Sequence, residues 1–152
     1  MAQTAGASIG TLYQYFPNKL SLLAAIGARH RGAVLEAIDV TAREGASLRA
    51  RVERLVTGLI AAHQGPTELN RALLVNAPET AAGDDETFEA AYLKAYERFI
   101  DHGTRRRRGH RPSPALLAAT VEGAIHHGAR VGCLDTLSFQ REVNALVLGY
   151  LR

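Results

Sequence analysis

The chain has 152 residues, of which 47% are hydrophobic and 22% charged, and these values exclude a disordered, collagen-like or disulfide-stapled protein. Ala and Leu together number 45 against 15 for Val and Ile, which favours an all-α fold. The formal net charge is +3, and five of the 18 cations lie in one segment, at Arg105, Arg106, Arg107, Arg108 and Arg111. The single cysteine, Cys133, excludes an internal disulfide and a cysteine-based zinc site. No apolar run is long enough to span a bilayer or to form a signal peptide, so we expect a cytoplasmic protein with no membrane partner.

Turn and capping residues divide the chain into helical segments, and no alternating run predicts a strand. The turn Ala5-Gly6-Ala7-Ser8 precedes a short helix over Ile9–Phe16, which Pro17-Asn18 ends. Asn18 is then in position to cap a long helix that starts at Lys19 and runs to about Arg43 or Glu44.

The next helix shows the clearest amphipathic pattern. Ser47 is its predicted cap and Gly65-Pro66 its end, and a short helix over Thr67–Ala77 and a loop to Asp85 follow. Its apolar residues recur every three or four positions, at Leu48, Val52, Leu55, Val56, Leu59 and Ile60.

Three further helices are predicted in the C-terminal half of the chain. A helix with Phe88, Tyr92, Tyr96, Phe99 and Ile100 on one face ends near the arginine run. Ser113-Pro114 is a strong helix start, and the helix to about Gly132 is rich in Gly and Ala, which allow a close approach to a neighbour. Ser138 is the predicted cap of a last helix, which should pack antiparallel to the one before it.

Residues 2–19 combine a helix end, a glycine turn and a short capped helix, which is the second half of a helix-turn-helix unit. The first part of Ile9–Phe16 would then lie against base edges in a major groove. No Asp or Glu precedes Glu36, so an anionic partner would meet no opposing carboxylate there. Side chains suited to contacts with bases or phosphates are Ser8, Thr11, Tyr13, Gln14, Tyr15 and Lys19.

This segment resembles the DNA-binding signature of the TetR family of transcriptional regulators. The matching residues are Ala5-Gly6-Ala7-Ser8, Gly10-Thr11-Leu12-Tyr13-Gln14-Tyr15-Phe16 and Asn18-Lys19. The resemblance implies a connecting helix, a ligand-binding bundle and two C-terminal helices that form a four-helix dimer interface. By position, it implies that Gly10, Thr11, Tyr13 and Gln14 face bases or nearby backbone. It implies phosphate contacts for Ser8, Thr11, Tyr15 and Lys19.

The resemblance also divides the chain into two parts. Residues 1–28 correspond to a partial helix-turn-helix domain that runs into the connecting helix, and residues 29–152 to the ligand-binding and dimerisation domain. Members of the family carry a first helix and most of a second one before the motif, whereas this sequence starts within the second. A start codon assigned too late and a genuinely shortened product both explain this difference, and the intact motif favours the first.

Two further sets of residues are candidates for binding. An effector pocket would be lined by Leu59, His63, Tyr92 and Tyr96, although ordinary core packing explains the same spacing and is the favoured interpretation. A dimer interface would use Gly123, Ala124, Gly128, Val143, Leu146, Val147 and Tyr150, which could instead serve only the interior of the monomer.

The sequence gives no support for an enzyme, a cofactor or a metal site. Gly6-Ala7-Ser8-Ile9-Gly10 matches the nucleophile elbow of hydrolases, but no strand leads into the serine. No two of the six histidines stand four apart on a helix, and His126 and His127 point in different directions. The run Arg105–Arg108 is better explained as a solvated helix end than as a nucleic-acid contact.

These observations predict a ligand-responsive transcriptional regulator, most simply a repressor, that binds a palindromic double-stranded operator as a homodimer. The alternative is a dimeric ligand-binding or interaction module that has lost DNA binding through N-terminal truncation.

Overall fold

The structure is a computed structural model that describes residues 11, 14–42, 46–65, 85–103 and 111–152. The described residues form five α-helices and no strand, which confirms the all-α prediction. The helices are α1 (Lys19–Asp39), α2 (Leu48–His63), α3 (Asp85–Gly103), α4 (Pro114–Val131) and α5 (Leu137–Leu151), and a 3₁₀ turn (Val40–Ala42) follows α1. The helix predicted over Thr67–Ala77 and the run Arg105–Arg108 lie outside the described residues.

Three of the predicted helix starts are confirmed by their caps. Asn18 Oδ1 accepts a hydrogen bond from the Ser21 amide at 2.8 Å, and the Asn18 amide donates to Ser21 Oγ at 3.2 Å, which together form a capping box. The Ser47 and Ser113 hydroxyls cap α2 and α4 by accepting from the Ala50 and Leu116 amides, and Pro114 occupies the first turn of α4.

One predicted helix end and one predicted helix cap were wrong. The helix that starts at Lys19 ends at Asp39 rather than near Arg43, because the backbone tightens into the 3₁₀ turn. The cap of α5 is Thr136 rather than Ser138: the Thr136 hydroxyl accepts from the Phe139 amide at 3.3 Å, whereas the Ser138 hydroxyl donates to Glu142. Thr136 has the extended backbone of a capping residue and directly precedes Leu137, where α5 begins. Gly132 ends α4 with a φ of 74°.

Helix α2 lies at the centre of the bundle and contacts α1, α4 and α5, while α3 packs against α1 and α4. Its predicted apolar face is confirmed, since all of the named residues but the half-buried Leu48 are buried. The core that forms around it also takes in Val34 and Ile38 of α1, the aromatic stripe of α3, Val121 and Ile125 of α4, and Val143, Val147 and Leu151 of α5.

Arg51 is a buried cation on the same helix as this apolar face, with 2% of its surface exposed. Its Nε donates to the Thr41 carbonyl at 2.9 Å and its Nη2 to the Phe99 carbonyl at 2.6 Å. The guanidinium carbon also lies 4.8 Å from the centre of the Phe99 ring. Arg51 therefore joins the end of α1 to α3, and burial lowers its pKa.

The small residues of α4 permit close packing against α5, as the sequence predicts. A Cβ on Gly128 would lie 2.6 Å from Phe139 Cζ and 2.9 Å from Leu134 Cδ2, so only glycine fits there without rearrangement. Across the hairpin, the Ser113 amide donates to the Tyr150 hydroxyl at 2.8 Å. The two helices are thus joined at both ends of α4.

No helix among the described residues combines the length and the apolar character that a bilayer crossing needs.

Candidate functional site

The segment predicted to contact DNA precedes α1 directly. Thr11, Gln14 and Tyr15 are helical and exposed, and the Tyr15 side chain is 77% exposed. The helical conformation ends before Phe16, and the bend at Pro17-Asn18 leads into α1. Lys19, the first residue of α1, is also exposed. Ser8, Gly10 and Tyr13 lie outside the described residues.

The capping box at Asn18 links this segment to the bundle. Because Asn18 and Ser21 satisfy each other's amides, the first turn of α1 is defined by local hydrogen bonds rather than by packing. The segment that carries Gln14 and Tyr15 is followed by one continuous helix of 21 residues that leads into the interior. This helix runs through residue 28, the predicted boundary between the two parts of the chain.

The four predicted pocket residues lie together in the interior. Leu59, Tyr92 and Tyr96 belong to the hydrophobic core, and His63 is 7% exposed. The Tyr92 and Tyr96 rings meet edge to face with their centres 5.1 Å apart. Their burial agrees with ordinary core packing, which is also the interpretation that their sequence spacing favours. The effector pocket stays a prediction.

The Tyr96 hydroxyl has an unusual environment. It is buried and forms no hydrogen bond of acceptable geometry among the described residues. Burial raises the pKa of Tyr96 well above its ordinary value, and the neighbouring Tyr92 adds to that effect. The pKa of Tyr92 is raised as well, again mainly by burial. Both phenols are therefore neutral at physiological pH.

Three histidine rings from three helices meet one another in the bundle. The ring centres of His30 on α1 and His63 on α2 are 4.6 Å apart, and those of His63 and His126 on α4 are 5.0 Å apart. Glu122 lies one turn before His126, with 4.0 Å between Glu122 Oε1 and His126 Nδ1. We call His30, His63, His126 and Glu122 the histidine cluster.

Burial determines the charge of the histidine cluster. It lowers the pKa of His63 to about 4, against the opposing effect of a hydrogen bond to the Leu59 carbonyl. It lowers the pKa values of His30 and His126 too, and it raises that of Glu122 with help from Glu89. Burial therefore favours the neutral form of all three imidazoles.

Of this cluster, only His63 was predicted from the sequence as a site residue. Glu122 and His126 are one helical turn apart on α4, but neither they nor His30 share a spacing with His63, because their helices meet α2 only in the folded chain. One signal was present: His30 lies three residues after the buried Gly27 and four before the buried Val34, and so falls on the interior side of α1.

The predicted dimer-interface residues fall into three groups by their burial. Gly128, Val143 and Val147 are buried within the chain itself, whereas Gly123 and Leu146 are exposed, and Ala124 and Tyr150 are half-buried. Other exposed apolar side chains on the same two helices are Leu116, Val131 and Leu137. The prediction of a dimer therefore depends on the exposed residues.

A shallow groove of about 790 Å³ runs between α1 and α2 on a different side of the bundle. Small residues such as Ala33, Ala37 and Gly58 line it, together with Glu36 and Arg54. None of the four predicted pocket residues lines this groove.

Arg111 is the one described member of the arginine-rich segment. Its guanidinium pairs with Glu97 at 3.1 Å and with Asp101 at 3.0 Å, both on α3. All three side chains are about half exposed, so the pairs contribute little to stability. These two acidic partners of Arg111 agree with a structural role rather than a contact with nucleic acid.

Comparison with known proteins identifies no relative of this chain: no family model, no curated protein and no solved structure matches it.

Proposed function

We propose that the protein is a DNA-binding transcriptional regulator of the TetR type, a repressor that binds operator DNA as a homodimer and responds to a small-molecule effector. The observation that carries the proposal is the motif that ends at Asn18-Lys19. Its described side chains, Thr11, Gln14, Tyr15 and Lys19, are all exposed at the start of a long helix that enters the bundle.

The chemistry of these side chains supports contacts with a duplex. Gln14 carries an amide that can pair with an adenine edge, and the Lys19 ammonium suits a phosphate. Lys19 also has no acidic residue before it in the sequence, and the first turn of α1 contains none. The lack of carboxylates in residues 1–35 and in the first turn of α1 supports an anionic partner for Lys19.

The arrangement of α1 supports a coupling between DNA and the interior. The helix starts beside the proposed DNA-reading segment and carries His30 on its inner side, where the His30 ring meets that of His63 on α2. A ligand that binds better to one position of α1 than to another would change the spacing of two recognition helices in a dimer.

The first test is selection of a binding site from a random duplex library, followed by affinity measurements at several salt concentrations. It uses this chain and the chain extended upstream in its own reading frame. We expect Gln14→Ala to weaken binding to the selected site by about 1–3 kcal/mol and to relax the base preference at one position. Lys19→Ala should weaken binding to all sequences equally, because it removes a phosphate contact. The slope of log affinity against log salt concentration should fall in magnitude by about 1.

Lys94→Ala is the matched control, because Lys94 is an exposed lysine on α3. We expect it to bind as the parent does. Failure of both forms of the chain to select a sequence, or equal effects of Lys19→Ala and Lys94→Ala, would contradict the proposal. A dimer that lacks DNA binding in both forms would instead favour the ligand-binding or interaction module.

A further inference from the structure

The histidine cluster joins α1 to α2 through the His30 ring. The centre of this ring lies 4.6 Å from that of the buried His63 ring, which in turn lies 5.0 Å from that of His126. His30 Nδ1 also lies 3.1 Å from the Ala62 carbonyl oxygen of α2. A single half-buried, titratable side chain therefore forms both a ring contact and a hydrogen bond between the two helices.

The hydrogen bond to Ala62 determines where acid would add a proton to His30. A carbonyl oxygen only accepts, so Nδ1 carries the proton of the neutral ring and Nε2 takes the second one. The ring would then be a cation packed edge to face against the His63 ring. Burial opposes that charge and lowers the pKa of His30, although the Ala62 carbonyl acts in the other direction.

The charged groups around His30 compensate such a charge only in part. His126 on α4 and Arg31 on α1 lower the pKa of His30 further, whereas Glu122 on α4 raises it. The same carboxylate lies 4.0 Å from His126 Nδ1, and Glu89 on α3 hinders its ionisation. Among the described residues, no group on α5 affects the pKa values of the three rings. One carboxylate therefore serves two rings that can become positive.

Acid should weaken this contact. Because the pKa values of His30 and His126 are lowered in the folded chain, the unfolded chain binds more protons below the ordinary histidine value of 6.5. Their contribution to stability is complete above that pH and decreases as the pH falls. Burial lowers the pKa of His63 to about 4, so in mild acid this ring stays neutral and acts as the packing partner.

Of the three helices that contribute rings, α1 has the smallest buried share. Four of its 21 residues are buried, against seven of 16 in α2 and five of 18 in α4. Of those four, Leu23 and Gly27 precede His30. We propose that the histidine cluster is an acid-sensitive contact, and that protonation of His30 releases residues 19–30 of α1 from α2.

The released half of α1 would be the half that follows the segment with Gln14 and Tyr15. If the protein is the regulator proposed above, acid would loosen the support of its recognition helix and weaken operator binding. This consequence rests on the proposed function, whereas the acid-sensitive contact does not.

The test is amide hydrogen exchange of the full chain without DNA, read by mass spectrometry between about pH 7 and about pH 5 and corrected for the intrinsic effect of pH. An opening that takes up one proton becomes up to about tenfold more favourable per pH unit. We therefore expect exchange in residues 19–30 to increase relative to exchange in α5, by up to about tenfold per pH unit for each proton taken up.

His30→Asn removes the titrating ring but keeps an amide that can donate to the Ala62 carbonyl. We expect it to reduce the acid response of residues 19–30 by about one proton, which is up to about tenfold per pH unit. It leaves the ion pair between Asp39 and Arg98 in place, so the comparison with the parent cancels the effect of acid on that contact between α1 and α3.

His127→Asn is the matched control, since His127 is an exposed histidine on α4 outside the cluster. We expect it to respond to acid as the parent does. The proposal is overturned if residues 19–30 and α5 respond equally in the parent, if His30→Asn keeps the full response, or if His127→Asn loses as much of it. Circular dichroism checks the fold of each variant, and the parent chain decides the question if His30→Asn does not fold.

Discussion

Two tyrosine hydroxyls illustrate how much a single polar atom depends on its surroundings. The Tyr96 hydroxyl is buried without a hydrogen bond among the described residues, whereas the Tyr150 hydroxyl accepts from the Ser113 amide at 2.8 Å. A buried polar group without a partner reduces stability, and a hydrogen-bonded one increases it.

The two Tyr→Phe substitutions should therefore have opposite effects. We expect Tyr96→Phe to raise the free energy of unfolding by about 1 kcal/mol, because it removes an unsatisfied buried hydroxyl. Tyr150→Phe should lower it by about 1 kcal/mol, because the Ser113 amide loses its partner. Urea denaturation of both variants checks this pair, and destabilisation by Tyr96→Phe would show that its hydroxyl has a favourable contact.

Arg51 is a second residue whose role depends on distant partners. Its spacing along α2, three residues after Leu48 and four before Leu55, places it on the apolar side of the helix, unlike the exposed Arg49 and Arg54. It is buried because the Thr41 and Phe99 carbonyls, 10 and 48 residues away in the sequence, accept its hydrogen bonds. No periodicity could have predicted those partners.

Capping residues determine where most of the described helices start, and close packing determines how the helices meet. The hairpin of α4 and α5 depends on Gly128, which lies directly under Phe139 and Leu134. The open position Gly32 on α1 is a suitable comparison, because an added Cβ there would have no neighbour within 4 Å.

We expect Gly32→Ala to stabilise the chain by up to about 1 kcal/mol, the difference in helix propensity between alanine and glycine. Gly128→Ala gains the same propensity but must displace Phe139 and Leu134, and overpacking costs about 1–3 kcal/mol. The midpoint of urea denaturation should therefore rise for Gly32→Ala and fall for Gly128→Ala. A rise for both would mean that Phe139 moves aside at no cost.

At the scale of the whole molecule, the exposed apolar residues of α4 and α5 are the basis of the proposed dimer. Leu146 is 45% exposed on α5, and Leu116, Val131 and Leu137 are more exposed still. A symmetric partner would bury these side chains against the same surface of a second chain.

We expect the chain to sediment as a dimer at micromolar concentration and Leu146→Glu to shift it to the monomer, since a buried unpaired carboxylate is costly. Val40→Glu is the control, because Val40 is 39% exposed but lies beyond the end of α1. It should leave the dimer intact. A monomeric parent chain, or equal dissociation of both variants, would rule out this interface.

The sequence by itself determined the helical class, most helix starts and the apolar face of α2. These features depend on neighbours within about four residues: a cap bonds three residues ahead, and an amphipathic face repeats every three or four. For the same reason the motif that ends at Asn18-Lys19 could be recognised without a structure. The cap of α5 was misplaced because Thr136 and Ser138 are both suitable residue types, and only the structure shows that the helix begins at Leu137.

Only the tertiary structure could bring together the histidine cluster and bury Arg51. His30, His63 and His126 are separated by 33 and 63 residues and lie on helices whose contacts no local pattern specifies. Long-range packing determines which side chains meet, and their proximity is what determines the chemistry available to them.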